Sequence, residues 1–433
     1  MTGRRPGPAG TAVLAMVESN TTGTGRMFAV AARGRGLRPV LLSTRPDRYP
    51  WVAEDSVDAV RADTDDPAAV AAAARAAAGR APLAGLVTSS EYFVAVTARA
   101  AAGFGLPGPD PAAVERCRDK HRQRAALAAA GVPVPAFVAA RSAGEAVAAA
   151  EEIGYPVVVK PADGTGSRGV RLCPGPATVR AQATWLLARR RDERGRPALP
   201  LILVEEYVAG PECSVETFGA GVVGVTAKHL GPDPFFVETG HDHPAEPGRA
   251  ADAAATAARA AVGALGLGFG AAHTEVRAGR RGPVVIEVNP RLAGGRIPVL
   301  VRLATGLDLV GAAVDAAIGD DRPLPHPGPG HASIRFVVAP RRGTVRRVAG
   351  RAAAAAVPGI VEVALDVRPG QRVGGTGSFL DRVGHVISAG PTGAGARAAV
   401  EEALRFLELD IDVDDDDTGP TGAPAPRPVT TGN

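Results

Sequence analysis

Short apolar segments alternate with helical stretches over the first part of the chain. Residues 11–17 are apolar, a polar turn rich in Gly and Thr follows, and residues 26–35 have a helical composition. The pattern continues in three later segments, residues 39–43, 67–80 and 85–88. Such alternation is typical of an open α/β sheet with helices packed against it. We therefore predict an N-terminal α/β domain over residues 1–112.

The turn after the first predicted strand, residues 18–25, could present backbone N–H groups to an anion, because a helix begins directly behind it. It lacks the glycine spacing of a dinucleotide-binding loop and an acidic residue at the right distance. The turn therefore argues against a dehydrogenase.

Composition excludes several classes of protein. A chain of 433 residues is expected to form about two to four domains. The net charge is +4 and aromatic residues make up 4%, which argues against a nucleic-acid partner. Cys117, Cys173 and Cys213 are too few and too dispersed for a disulfide framework or a zinc site, and they fit a reducing compartment. No apolar run approaches the ~20 residues of a membrane span, so we expect a cytoplasmic enzyme with no membrane partner.

Lysine is rare in this sequence, which contains three lysines among its 49 basic Lys and Arg residues. Arg serves wherever any positive charge is enough, so a remaining Lys indicates a position that requires a compact ammonium group. The three lysines are Lys120, Lys160 and Lys228, and each lies in a segment suited to phosphate.

The segment around Lys160 has the most detailed phosphate-binding pattern. Lys160 ends a β-branched strand, and the loop that follows, residues 162–170, contains three glycines, two hydroxyl side chains and an Arg. Many glycine-rich loops are only tight turns. A loop with a lysine at its base, however, can fold its amides over phosphate oxygens as a flap. We therefore predict that Gly164, Gly166 and Ser167 bind a nucleotide.

A second apolar strand, residues 201–204, ends in several acidic residues. Main-chain groups from Glu206 to Val208 could recognise an adenine edge, and the Glu212 carboxylate could accept hydrogen bonds from ribose hydroxyls. The alternative is an ordinary strand end with solvated carboxylates.

Residues 272–276 and 284–291 are predicted to form paired strands across a short loop. Side chains alternate along a strand, so Glu287 and Asn289 share a face, and pairing could bring Glu275 beside them. Two carboxylates and an amide oxygen are hard ligands suited to Mg²⁺, and Arg291 adds a planar donor group for a phosphoryl oxygen. The alternative pairs the glutamates with surface arginines. Burying these polar groups without a cation would be costly.

From about residue 114 to residue 319 the chain resembles the ATP-grasp superfamily. The resemblance rests on Val-Lys-Pro at residues 159–161, Glu-Glu-Tyr-Val at 205–208 with Gly-Pro-Glu at 210–212, and Glu-Val-Asn-Pro-Arg at 287–291. It implies a multidomain α/β and α+β fold: an ATP-grasp domain over residues 113–330 with a flap subdomain over about 135–207, following the N-terminal domain as a pre-ATP-grasp domain. A β-rich C-terminal lid domain is expected over 331–409, and a disordered acidic and Pro-rich tail over 410–433.

The resemblance also implies roles for single residues. Lys120, Lys160 and Lys228 would contact the phosphates of ATP. The adenine would be held by Glu205, Glu206, Tyr207 and Val208, and the ribose by Glu212. Magnesium, with Mn²⁺ as an alternative, would be ligated by Glu275, Glu287 and Asn289. Arg291 would stabilise the transferred phosphoryl group and the tetrahedral intermediate.

Within the superfamily the chain looks most similar to L-amino acid ligases of the bacilysin-synthesising type and related carboxylate–amine ligases. Residues 235–244, 273–275 and 291–298 support this likeness, which carnosine synthase-like enzymes share. It implies amide formation through an acyl phosphate, with release of ADP and phosphate, in natural-product biosynthesis. The expected partners are a small carboxylate and an amine, and the assembly a homodimer. Glu238 would receive an α-ammonium group, Arg291 with the Gly294 and Gly295 amides a carboxylate, and His241 or His273 would orient the amine or take its proton.

Three alternatives share the same nucleotide site. A carboxylase or a purine-pathway ligase would use bicarbonate or formate. A kinase of the same fold would leave a stable phosphorylated product. A non-catalytic nucleotide sensor would not need the full set Glu275, Glu287, Asn289 and Arg291.

Overall fold

A computed structural model describes residues 10–20, 24–192 and 194–414. The chain divides into two compact units, each made of three segments. The first unit comprises Met1–Pro135, Val208–Ala227 and Pro244–Gly328, and the second comprises Ala136–Tyr207, Lys228–His243 and Pro329–Asn433. Residues 21–23 of the predicted anion-binding turn lie outside the described residues.

The N-terminal part of the first unit has the α/β sheet predicted for residues 1–112 and continues into two further helices. Its elements are β1 (Val13–Val17), α1 (Thr24–Gly34), β2 (Arg38–Ser43), α2 (Pro50–Glu54), β3 (Asp58–Arg61), α3 (Pro67–Ala78), β4 (Leu83–Val87), α4 (Val94–Gly103), α5 (Pro111–Arg118) and α6 (Lys120–Ala129). The four strands form a parallel sheet in the order β3-β2-β1-β4. All five residues of β1 are buried, because helices cover both faces of a parallel sheet.

The middle of the chain contributes to both units. Its elements are β5 (Phe137–Ala140), α7 (Ala143–Ile153), β6 (Val157–Pro161), β7 (Arg171–Cys173), α8 (Pro176–Leu187), β8 (Ile202–Glu206), β9 (Glu212–Phe218), β10 (Gly221–Leu230), β11 (Glu238–His243), α9 (Arg249–Leu265), β12 (Ala271–Gly279), β13 (Gly282–Asn289), α10 (Ile297–Thr305) and α11 (Leu309–Ala317). In the second unit, an antiparallel sheet in the order β5-β8-β6-β7 packs against α7 and α8. The strands of this sheet lie between Phe137 and Glu206, inside the range of about 135–207 predicted for a flap subdomain.

In the first unit, β12 lies between β9 and β13 and is antiparallel to both. The buried face of these strands packs on α9, with Val285 and Val288 in the shared core. Both valines reach the core because the β12–β13 register shifts between Glu275 and Val276, which places an extra residue in β13. Glu287 and Asn289, on either side of Val288, therefore project from the opposite face.

The C-terminal elements belong to the second unit. They are β14 (His331–Val338), β15 (Gly343–Ala349), α12 (Arg351–Ala355), β16 (Ile360–Leu365), β17 (Arg372–Val373), β18 (Arg382–Gly390), α13 (Gly393–Leu404) and β19 (Glu408–Val413). Antiparallel pairs join β11 to β14, β14 to β18, and β18 to β16. The structure thus contains the predicted β-rich C-terminal region.

The prediction of a disordered tail from residue 410 is wrong for residues 410–413. These residues form most of β19, which pairs with β15. Ion pairs also join the two strands: Asp412 lies 3.2 Å from Arg346, and Glu408 lies 3.0 Å from Arg347. The acidic composition indicated disorder because it did not reveal the basic partner strand. Residues 415–433 lie outside the described part of the chain.

Among the described residues, no single helix is long and apolar enough to cross a membrane. The pair α10 and α11 reaches that length and composition only when taken together, and the chain bends by 107° between them.

Candidate active site

The predicted pairing of the acidic strands is confirmed in the first unit. Glu275 on β12 lies directly opposite Glu287 on β13, and His273 lies opposite Asn289. The Glu275 and Glu287 side chains keep 21% and 19% of their surface exposed, so both carboxylates remain accessible to a ligand. One face of this strand pair therefore carries all three predicted metal ligands.

Lys120 lies beside these ligands. It is the first residue of α6, and the Asp119 side chain caps the helix by accepting hydrogen bonds from two backbone N–H groups. The Lys120 ammonium donates to Glu287 Oε1 at 2.8 Å. A predicted phosphate ligand and a predicted metal ligand are thus adjacent, although 167 residues separate them in the sequence.

The Asn289 amide tests whether these residues fit a cation. With its nitrogen directed at them, Asn289 donates to Glu91 Oε2 and to Glu287 Oε1, both at 3.1 Å. With the amide reversed, its oxygen faces the same carboxylates, and this set of oxygens suits a hard cation such as Mg²⁺. The described residues contain no cluster of three His, Cys, Asp or Glu side chains arranged for a metal. The fit therefore depends on combining an amide with two carboxylates.

Arg291 is held in place by Glu91, to which the sequence assigned no role. The Glu91 carboxylate accepts hydrogen bonds from Arg291 Nε and, at 2.9 Å, from Arg118. Burial raises the pKa of Glu91, but Arg291 and Arg118 outweigh burial and lower the pKa to about 2. Glu91 directly follows the β4 region, at the carboxyl edge of the parallel sheet where strand order reverses. An acidic residue at this edge of the sheet is the sequence feature that could have identified Glu91 as part of the site.

The Glu216 carboxylate accepts a hydrogen bond from His273 Nδ1 at 2.7 Å, and His273 Nε2 lies 3.6 Å from Glu275 Oε1. Burial alone would lower its pKa, but these two carboxylates raise the pKa to about 9. Both neighbours are acceptors, so they fix the orientation of the ring. The role of His273 towards the amine stays a prediction.

Two further predicted nucleotide residues lie in the first unit. The Glu212 carboxylate accepts a hydrogen bond from Arg277 Nε at 2.9 Å, and both side chains are less than a tenth exposed. Arg277 also donates to the Val208 carbonyl at 3.0 Å. Arg277, which the sequence did not single out, therefore connects the predicted ribose and adenine residues.

In the second unit, Lys160 and Glu205 form a buried ion pair at 2.6 Å. Their side chains are only 5% and 3% exposed, because β6 and β8 are neighbours in the flap sheet. Glu206 is held through its backbone, which donates to the Ala136 carbonyl at 2.8 Å, and the Tyr207 ring lies 6.4 Å from that of Phe236. Because the Glu205 carboxylate is paired with Lys160, the predicted contact of Glu205 with adenine would have to be made by its main chain.

Glu238 lies close to two other predicted site residues of the second unit, Lys228 and His241. Its Oε1 lies 2.7 Å from Lys228, and its Oε2 accepts a hydrogen bond from Arg382 and lies 3.7 Å from His241. Burial raises the pKa of Glu238, but Lys228 and Arg382 outweigh it and hold the pKa well below its ordinary value. A substrate α-ammonium group would share this carboxylate with two cations already present.

We expect Asp242→Asn to make the protein less stable in a pH-dependent way. Burial raises the pKa of Asp242, but hydrogen bonds from His229 and Arg335 lower it well below its ordinary 3.8. That stabilisation is present above pH 3.8 and is lost as the pH falls below it. The free energies of unfolding of wild type and variant should differ by about 1–3 kcal/mol at pH 7, and this difference should begin to shrink only below pH 3.8. A pH-independent gap would contradict this assignment.

Three segments of the chain match profiles of known domains. Residues 29–108 match the ATP-grasp N-terminal domain, residues 153–299 the ATP-grasp domain, and residues 335–412 the L-amino acid ligase C-terminal domain 2. The chain belongs to the ATP-grasp ligase family. The predicted resemblance and fold class are thereby confirmed, and the chain is an ATP-grasp enzyme of the ligase type.

Curated ATP-grasp relatives differ in how much of their length the chain spans. The uncharacterized protein y4rH of Sinorhizobium fredii is 38% identical over 90% of this chain and 81% of its own length. Carnosine synthase 1 of Gallus gallus is 32% identical over 54% of this chain and 27% of its own. Alanine–anticapsin ligase of Bacillus subtilis is 29% identical over 55% of each. The chain thus spans 27% and 55% of the two relatives named for an activity.

A solved structure, the L-amino acid ligase from Bacillus licheniformis, has the same fold. Its TM-score is 0.77, and the match covers 93% of this chain and 99% of that one. The sequences are 21% identical, so this likeness concerns the ATP-grasp fold alone.

The last predicted substrate residues, Gly294 and Gly295, lie in the loop before α10 of this ATP-grasp chain. The Gly294 carbonyl accepts a hydrogen bond from Ile297 N at 3.1 Å at the start of that helix. A Cβ on Gly294 would meet nothing within 4 Å, so the backbone borders open space. Their carboxylate-binding role remains a prediction.

Proposed function

We propose that the protein is an ATP-dependent carboxylate–amine ligase. It would activate a carboxylic acid or an amino acid as an acyl phosphate and join it to an amine to give a dipeptide-like amide. In the simplest case the amine is a second amino acid. ADP and phosphate would be released.

The observation that carries this proposal is the L-amino acid ligase C-terminal domain at residues 335–412, in the same chain as both ATP-grasp domains. The name of one relative, alanine–anticapsin ligase, describes a ligase that acts on an amino acid. Both findings favour an amino acid over bicarbonate or formate as a substrate.

In the proposed reaction, a carboxylate oxygen of the acid attacks the γ-phosphorus of ATP. The bond from this phosphorus to the bridging oxygen breaks, and ADP leaves. The amine nitrogen then attacks the acyl carbon, the carbon–oxygen bond to phosphate breaks, and the nitrogen loses a proton as the amide forms. The first step needs positive charge around the phosphates, and the second needs a donor for the developing oxyanion.

The described residues can supply these groups. Lys120, Lys160 and Lys228 offer ammonium groups for phosphate oxygens, and Arg291, held by Glu91, offers a fixed fork of donors. Glu275, Glu287 and Asn289 would hold Mg²⁺, which when bound neutralises charge on the phosphates. Glu238 would orient the amine substrate beside Lys228.

The proposal is tested by measuring phosphate release from ATP and Mg²⁺ across an amino-acid panel, supplied singly and in pairs, with mass spectrometry of the products. A pair-dependent release with a dehydrated conjugate supports the ligase. A stable phosphorylated product from one substrate would instead indicate a kinase, and release dependent on bicarbonate or formate would indicate the carboxylase or purine-pathway class.

The biological setting of this reaction is also a proposal. A conjugating ligase of this type fits natural-product biosynthesis in the cytoplasm, and a homodimer is the expected assembly. Cell fractionation and light scattering of the purified protein test location and assembly separately from the activity.

A further inference from the structure

The glycine-rich flap loop, residues 162–170, packs against a turn of the C-terminal region within the second unit. We call residues 376–382 the clasp segment. Phe379 N in this segment donates to the Gly166 carbonyl at 3.5 Å. A Cβ on Gly166 would lie 2.4 Å from Phe379 Cδ1, so the ring lies directly against the glycine. Gly166 also has φ +66°, so glycine is favoured here for two independent reasons.

The clasp segment is held by its own hydrogen bonds. The buried Asp381 carboxylate accepts from Thr376 N at 3.0 Å and from Thr376 Oγ1 at 2.8 Å. Ser378 caps the short turn Phe379–Asp381 by accepting from Leu380 N at 3.3 Å. Ala339 N donates to the Asp381 carbonyl at 2.8 Å, which ties the segment to the end of β14. These hydrogen bonds hold the two ends of the clasp segment in one turn.

The other end of the clasp segment reaches the predicted substrate residues. Arg382 Nε donates to the Glu238 carbonyl at 3.0 Å, and its terminal nitrogen donates to the Glu238 carboxylate. The Arg382 guanidinium also lies 4.1 Å from the centre of the Phe336 ring, which fixes its plane. Glu238 in turn holds Lys228 at 2.7 Å. Seven consecutive residues therefore contact both the flap loop and the Glu238–Lys228 pair.

We propose that Phe379 and Arg382 are positioning residues that couple the flap loop to the Glu238–Lys228 pair. Nucleotide held under the flap and amine held at Glu238 then change each other's affinity through the clasp segment. Couplings of this kind are typically about 5–150-fold. The inference rests on the proposed function for the identity of the two ligands, but the contacts themselves can be tested without any amine.

The first experiment measures opening of the flap by trypsin cleavage after Arg168, which lies in the loop, with mass spectrometry to identify the bond. We expect Phe379→Ala to accelerate this cleavage about tenfold, because removing the ring that packs against Gly166 favours the open loop. Phe379→Leu should restore most of the protection. Leu380→Ala is the matched control, since Leu380 is the next residue and is 47% exposed. Equal cleavage in the Phe379→Ala variant and wild type would overturn the proposal.

The second experiment perturbs one end and reads the other. Arg382→Gln removes the contact with Glu238 and leaves Phe379 unchanged. If Arg382 acted only on Glu238, cleavage after Arg168 would be the same as in wild type. We expect it instead to weaken protection of the Arg168 bond by Mg²⁺ and a non-hydrolysable ATP analogue at least about fivefold. Arg382→Lys, which keeps the charge, should recover part of this protection. Arg405→Gln, at an exposed position, is the control and should leave the protection unchanged.

These outcomes separate the inference from the proposed function. Normal nucleotide protection in Arg382→Gln would overturn the coupling even if amide synthesis is found. Loss of protection in that variant, together with unchanged cleavage at other sites, would support the coupling even if no amino-acid pair reacts. Increased cleavage throughout the chain would indicate unfolding, and Arg382→Lys then decides the question.

Discussion

Glu287→Ala is expected to reduce ATP turnover by at least about 10³-fold, because it removes a carboxylate proposed to hold Mg²⁺ at the phosphates. The change also takes away the partner of Lys120, whose ammonium lies 2.8 Å from Glu287 Oε1. The measurement is the rate of ADP formation at saturating ATP, Mg²⁺ and substrates, with circular dichroism to establish that the fold is intact.

Two further variants sharpen this result. Glu287→Gln keeps the shape and an acceptor for Lys120 but loses the charge, so it should be nearly as inactive as Glu287→Ala. Glu54→Ala is the control, since that glutamate pairs with Arg26 at the surface of the same unit. Turnover of Glu287→Gln within tenfold of wild type would remove the metal assignment.

Lys160→Met is expected to destabilise the protein by about 3–5 kcal/mol, because it leaves the Glu205 carboxylate buried without its counter-charge. The two groups are 2.6 Å apart, and their side chains are 5% and 3% exposed. The same variant should lose nucleotide affinity, since Lys160 is the proposed phosphate ligand at the base of the flap. Urea unfolding and binding of an ATP analogue measure the two effects separately.

The double variant Lys160→Met/Glu205→Leu separates stability from function. Replacing a buried ion pair by apolar side chains of similar volume is often neutral or stabilising, so the double variant should recover most of the lost stability. Its nucleotide affinity should stay low, because the ammonium is still absent. Recovery of nucleotide binding together with stability would show that Lys160 has only a structural role.

The local sequence pattern was sufficient to predict those features that depend on neighbouring residues of one strand or helix. The period of two along a strand places Glu287 and Asn289 on one face, and the alternation of strands and helices in the first 112 residues predicts the open α/β sheet. A capping Asp119 places Lys120 at the start of a helix. The ATP-grasp motifs follow from such local spacing, and for this reason the family could be predicted.

Contacts between distant segments could not be predicted in the same way. Glu91 and Arg291 are 200 residues apart, and Glu238 and Arg382 are 144 residues apart. The extra residue in β13 that allows both Val285 and Val288 to enter the core is equally invisible to a simple alternation. In each case, the way whole helices and strands pack decides which residues meet. That packing depends on all the residues between the two partners in the sequence.

The sequence by itself determined the kind of protein: an α/β start, a glycine flap with a lysine at its base, and a strand pair bearing Glu275, Glu287 and Asn289. Only the tertiary structure decided how these groups are held. It placed Glu91 on Arg291, Arg382 on Glu238 and Phe379 against Gly166, and it gave His273 two carboxylate neighbours that raise its pKa. The physical reason is that charge and burial at a site are sums over neighbours in space, whereas a sequence pattern reports neighbours along the chain.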